Sequence, residues 1–259
     1  MYYSDYSELQ NSNPLAIIRI KIIILAFAFL IGLSVATNIR AEFSATLRGT
    51  TNYVWRGFTK SANKPAVQAN IDYEHATGFF LGTSASTVNF GDRGFSDRSN
   101  VEITPYLGWS FSATDDWRVD LQFQRYIYDG KIFNNQSDYN ELYAFAHYQD
   151  LFTARVSFSP NYYNRDHPAA DFGITGRFPL TETVNLSSGI GYSLARDVLE
   201  YDYLYWNAGI SWHHRYGALD LRYTQSAFFN EKEVPDRDRW LFEPERLGPT
   251  IVFTISFGF

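Results

Sequence analysis

From Phe43 to Phe259 the sequence breaks into segments of about ten residues in which apolar and polar side chains alternate one by one. That period and length fit a tilted strand with lipid on one face and water on the other. In the first segment Phe43, Ala45, Leu47, Gly49, Thr51, Tyr53 and Trp55 share one face. Ser44, Thr46, Arg48, Thr50, Asn52 and Arg56 share the other, apart from Val54. The next segment sets Val67, Ala69, Ile71 and Tyr73 against Gln68, Asn70, Asp72 and Glu74. A soluble strand rarely stacks four such polar residues, so the apolar set is assigned to bilayer and the polar set to a lumen.

The register persists along the chain. Val101, Ile103, Pro105, Leu107, Trp109 and Phe111 face outward at 101–112, and Trp117, Val119, Leu121 and Phe123 at 117–128. Further segments follow at 152–158, 172–178, 184–194, 204–212, 219–223 and 251–259, with weaker ones at 79–88 and 139–149. About twelve strands result, an even number as a single-chain bacterial barrel requires. The expected fold is all-β: a transmembrane up-and-down antiparallel β-barrel, its first strand at Phe43–Arg56 pairing with its last at Thr250–Phe259. Arg125 is the one basic residue in the outward register, near a strand end where charge costs little. Pro105 forfeits a ladder hydrogen bond, so a local bulge is expected there.

The links alternate too. Short ones fall at Ala76–Gly78, Ala113–Asp116, Gln149–Leu151, Thr181–Glu182 and His214–Gly217. Longer ones fall between them, at Gly57–Lys64, Asn89–Asn100, Asp129–Asp138, Asn164–Ala169, Ala195–Asp202 and Phe229–Gly248. Short periplasmic turns alternating with long external loops are the two-sided rhythm of an outer-membrane barrel of a Gram-negative bacterium.

Ahead of the barrel, Arg19 and Lys21 precede an apolar run from Ile22 to Val35 that ends in small residues at Ser34-Val35-Ala36, with a second small site at Ala41. Charge, apolar core and cleavage site make a signal peptide, and the run is short for a membrane span. The expected organisation is a signal peptide over 1–41, helical in the precursor and cleaved after Ala36 or Ala41, then a barrel over 42–259. The terminal Phe259 is expected to be read by the outer-membrane insertion machinery. Lipid and lipopolysaccharide are the expected surroundings.

The 19 Tyr, 22 Phe and 6 Trp suit interfacial girdles. There is no Cys, which removes disulfides, thiolate metal sites and a cysteine nucleophile. A net charge of −6 argues against nucleic acid as a partner.

Residues 52–90 carry a recognisable run: Asn52-Tyr53-Val54-Trp55-Arg56-Gly57, Ser61, Pro65-Ala66-Val67-Gln68, Ile71-Asp72-Tyr73, Gly78-Phe79 and Ala85-Ser86. It resembles the TorF-type porins, a proteobacterial family of conserved hypothetical proteins. Val101-Glu102-Ile103, Tyr106 and Gly108 extend the likeness, while Ala69 and Asn70 depart from it where the family more often has glycine. The resemblance implies an outer-membrane barrel of porin type and names no substrate.

On the polar face lie Arg48, Arg56, Arg118, Arg155, Arg177 and Arg222 with Asp72, Glu74, Glu102, Asp120, Glu141, Asp171 and Asp220. Lining an open pore, six basic against seven acidic groups would pass small polar solutes with weak ion selectivity. Paired across a narrow barrel, they would plug it. A plugged structural or adhesive barrel and an outer-membrane hydrolase are the alternatives to a channel. For catalysis His147 with Glu141 or with an external-loop Asp is a pairing by residue type, but no G-x-S-x-G is present, and His213-His214 point to opposite faces of a strand. No catalytic, metal or cofactor site is therefore expected.

Overall fold

The computed structural model describes residues 41–92, 94–229 and 247–259. The expected signal helix and most of the last long link lie outside them. Twelve antiparallel strands close into a barrel. They are β1 (Ala41–Thr50), β4 (Ala66–His75), β5 (Phe79–Thr87), β6 (Val101–Ser112), β7 (Trp117–Tyr128), β8 (Tyr139–Tyr148), β9 (Phe152–Ser159), β10 (Ala169–Pro179), β11 (Val184–Leu194), β12 (Asp202–His214), β13 (Gly217–Phe229) and β14 (Thr250–Gly258). Two further strands of two residues each, β2 (Val54–Trp55) and β3 (Phe58–Thr59), form a separate hairpin. Each wall strand pairs with its sequence neighbour in the wall, and β1 closes the ring against β14. Closure gives every wall strand a partner on both sides, as a hydrocarbon surrounding demands. No helix among the described residues is long and apolar enough to cross a membrane.

The alternation governs which way each side chain turns. Leu47, Leu107, Leu121, Leu142, Ile174, Ile190, Ile210 and Phe253 all present large apolar surface outward. An apolar band of that extent belongs against lipid, not water. Aromatic pairs ring its short-turn end: Phe43 with Tyr73 at 4.8 Å, Trp117 with Tyr148 at 5.1 Å and Phe152 with Phe178 at 5.6 Å between ring centres. Arg125 sits toward the long-link end and donates to Asn140 at 3.1 Å, with Asp138 at 3.7 Å.

Two local expectations are corrected. At Pro105 there is no bulge: Ile103 pairs Ile127 and Tyr106 pairs Gln124 in unchanged register, and the β6–β7 pairing merely lapses between them. The missing N–H is accommodated by one gap in the ladder, while Pro105 keeps its place opposite Thr83 on β5. The first strand ends at Thr50, not Arg56. Beyond it the alternating Asn52–Arg56 run leaves the wall and supplies half of the β2–β3 hairpin. Its turn places Arg56 at φ 46° and Gly57 at φ 78°. Positive φ at both central residues is the tight hairpin turn whose twist matches that of its strands, and glycine makes the second position cheap.

Candidate functional site

The hairpin folds into the long-link half of the barrel, and the wall residues there are chosen to receive it. Arg56, almost fully buried, donates from Nη1 to Glu141 of β8 at 2.7 Å and from Nη2 to Tyr143 and Ser157, each at 3.0 Å. Its Nε lies 3.5 Å from Asp171 of β10. Lys60, just after β3, donates to Glu102 of β6 at 2.5 Å. Tyr53 and Tyr128 donate to the same carboxylate at 2.8 and 2.7 Å. Burial pushes the Lys60 ammonium down from its ordinary value, and Glu102 pulls against that shift. The ammonium also lies within 5.6 Å of the ring centres of Tyr53, Trp55 and Tyr126. Buried charges survive only when paired and hydrogen-bonded, and here each cation has both.

Asn52 fixes the root of the hairpin: its Oδ1 accepts from Thr59 at 2.6 Å and from Ser61 at 3.1 Å. Around the hairpin the inner face carries tyrosine where the polar register would suggest water. Tyr126, Tyr128, Tyr139, Tyr162, Tyr163, Tyr201 and Tyr203 are buried together with Phe58, Phe90 and Ile132. Tyr126 stacks on Tyr139 at 4.4 Å, and Phe58 meets Tyr203 edge-on at 4.6 Å. This half of the lumen is a packed core.

Below the hairpin the lumen is open. A cavity of about 830 Å³ runs from Tyr53–Gly57 toward the short-turn end, lined by Arg48, Arg56, Arg155, Asp220, Arg222 and many hydroxyl and amide groups. Arg222 is held by Asp220 at 2.9 Å, Asn207 at 2.6 Å and Ser187 at 2.8 Å. Its guanidinium carbon lies 3.1 Å from where a Cβ at Gly209 would stand, so that glycine gives it room along the wall. Arg155 donates from Nη2 to Asp171 and to Tyr205, the latter at 2.6 Å. Arg48 is exposed and has no hydrogen bond or ion pair among the described residues.

The other polar-face residues are divided by height. Glu102, Glu141 and Asp171 are buried against the hairpin and its neighbours. Asp72 accepts from Asn70, while Glu74 is exposed at the short-turn rim beside its strand partner Glu42. Arg177 and Arg118 are exposed near the same end, Arg118 lying 3.4 Å from Asp120. His147 is not with Glu141. Its Nε2 meets Asp120 at 3.1 Å and its Nδ1 meets Thr153 at 2.9 Å, and Ser110 donates to Asp120 at 2.6 Å. The order hydroxyl, imidazole, carboxylate is that of a hydrolytic triad, but the backbone N–H groups of these strands are taken up by the ladders and are not available as oxyanion donors. No group of three or more potential metal ligands occurs among the described residues.

Sequence reasoning missed Lys60 and the inward tyrosines. The signal for the tyrosines was present: Tyr126, Tyr128, Tyr143, Tyr203 and Tyr205 fall in the polar register of their strands. Lys60 lay in a link, where periodicity carries no information.

A family model described as a bacterial protein of unknown function, Gcw_chp, matches residues 36–231. No curated protein matches the chain. Among solved structures, the KdgM porin in complex with disordered oligogalacturonate aligns with a TM-score of 0.52 at 9% identity, covering 83% of this chain and 98% of that one. A second structure of the KdgM porin gives 0.50 at 8% identity with the same coverage. At such identities the likeness is one of fold.

Proposed function

This chain belongs to the Gcw_chp family of bacterial proteins of unknown function, and we propose that it is an outer-membrane porin-like channel for passive passage of small polar solutes. One observation carries the reading: a closed barrel, apolar on its outer face, encloses a cavity of about 830 Å³ that is continuous up to the inward β2–β3 hairpin. A purely structural barrel has no need of such a space, and side chains fill small barrels. The short-turn end faces the periplasm and the long links face outward. The hairpin is the constriction, and the solute passes when it shifts within the mouth. The fold shared with the KdgM porin supports this reading. The protein is not an enzyme in this reading, and Asp120, His147 and Thr153 form a structural network on the wall.

Planar-bilayer recording tests it. Purified barrel should give small, salt-dependent conductance steps. The double variant Arg56→Ala/Lys60→Ala, which removes both buried cations of the hairpin, should give larger or more frequent openings. A wild type and a variant that insert but both pass no current at any voltage would refute the channel.

A further inference from the structure

We propose that the open half of the lumen is a binding site for a small polyhydroxylated carboxylate, recognised by Arg48, Arg155 and Arg222. The proposal rests on the channel reading for its role but on the cavity alone for its chemistry. Four arginines line this space and one carboxylate, Asp220, faces them. Glu141 and Asp171 neutralise Arg56 and Arg155, and Glu102 neutralises Lys60, which leaves Arg48 and Arg222 against Asp220. The even tally of the polar face thus becomes an excess of one cation, Arg48, where solvent reaches, since Arg222 is paired with Asp220. The acidic groups outside the cavity are Asp72, Glu74 and Glu42 toward the short-turn rim, and Asp120 tied to Ser110 and His147.

The arginines also keep donors in hand. Arg48 makes no bond among the described residues, and Arg155 uses only Nη2, leaving Nη1 without a partner there. Strand β9, which carries Arg155, lies opposite β1, which carries Arg48, in the ring of twelve. A ligand in the cavity is therefore addressed by guanidinium from both walls. Guanidinium forks match the planar two-oxygen edge of a carboxylate, which Lys would meet only as a point charge. Between the arginines stand Gln68, Asn70, Thr175 and Thr254, which suit hydroxyl groups. The cavity volume falls within the range of small-molecule sites, roughly 300–1,000 Å³.

The test is isothermal titration of the refolded full barrel in detergent with gluconate, and with glucose as the uncharged counterpart. Gluconate should bind about tenfold or more tightly than glucose, as expected of charge-assisted hydrogen bonds. Arg48→Ala breaks no hydrogen bond or ion pair among the described residues, so the barrel should fold, and it should remove most of that preference. Arg48→Lys should restore only part of it. Equal binding of gluconate and glucose, or a preference untouched by Arg48→Ala and by Arg48→Ala/Arg222→Ala, would overturn the site. A barrel that binds gluconate through Arg48 yet never conducts refutes the channel and leaves the site standing. One that conducts and shows no gluconate preference does the opposite.

Discussion

Leu121 turns half its surface outward from β7, while its neighbour Gln122 turns inward and donates to Gln124 at 2.8 Å. One position along a strand therefore separates lipid from lumen. An arginine at the bilayer midplane on a lipid face costs roughly 2–4 kcal/mol, while the lumen hydrates it. Leu121→Arg and Ile210→Arg should accordingly lower the urea midpoint for unfolding from lipid vesicles, and Gln122→Arg should leave it nearly unchanged. Equal tolerance of all three would mean that the two faces have been exchanged. Arg125 shows why position matters as much as face. It stands in the outward register but near the long-link end, where Asn140 and Asp138 reach it.

At the scale of elements, the β2–β3 hairpin is the part that periodicity misread. Strand alternation continues through Asn52–Arg56, so nothing in the pattern marks where the chain leaves the wall. The marker is the turn chemistry of Arg56-Gly57, which only makes sense once both residues have positive φ. By contrast β6, β7 and β11 have the expected bounds at 101–112, 117–128 and 184–194, because their ends coincide with breaks in alternation. The cavity was legible as a polar face but not as a charge balance, since pairing of Glu102 and Glu141 depends on a loop folding back across many strands. Gly57 offers a clean test of the hairpin's seat. A Cβ there would stand 2.3 Å from Ser226 Oγ and 2.6 Å from Tyr205 Cβ. Gly57→Ala should unseat the hairpin and raise conductance several-fold, with faster proteolysis near Lys60. Gly94, also at positive φ (102°) but with open space around its missing Cβ, is the control. If both glycine variants behave alike in the bilayer, strain in a turn and not occupancy of the lumen explains the effect.

For the whole molecule, closure is the weakest step. Strands β12 and β13 pair over thirteen positions from Asp202 to His214, and β1 pairs with β4 over ten. The closing seam pairs Thr46–Thr50 of β1 with Thr254–Gly258 of β14, and at its upper end Thr51 N–H donates to the Phe253 carbonyl at 2.9 Å. Phe259 extends it by a reciprocal pair of backbone bonds with Ala45, at 2.9 and 3.1 Å, and leaves its ring exposed on the lipid side. Opening a barrel at one seam exposes unpaired N–H and C=O groups to hydrocarbon, so the shortest seam sets the easiest route. Hydrogen exchange should therefore proceed faster at Thr46–Thr50 and Thr254–Gly258 than in the β12–β13 ladder. Deleting Phe259 removes both bonds to Ala45, and should speed exchange at this seam selectively while slowing assembly in cells. Uniform acceleration through β12 and β13 would show that the barrel opens as a unit, and that the seam between the first and last strands has no separate stability.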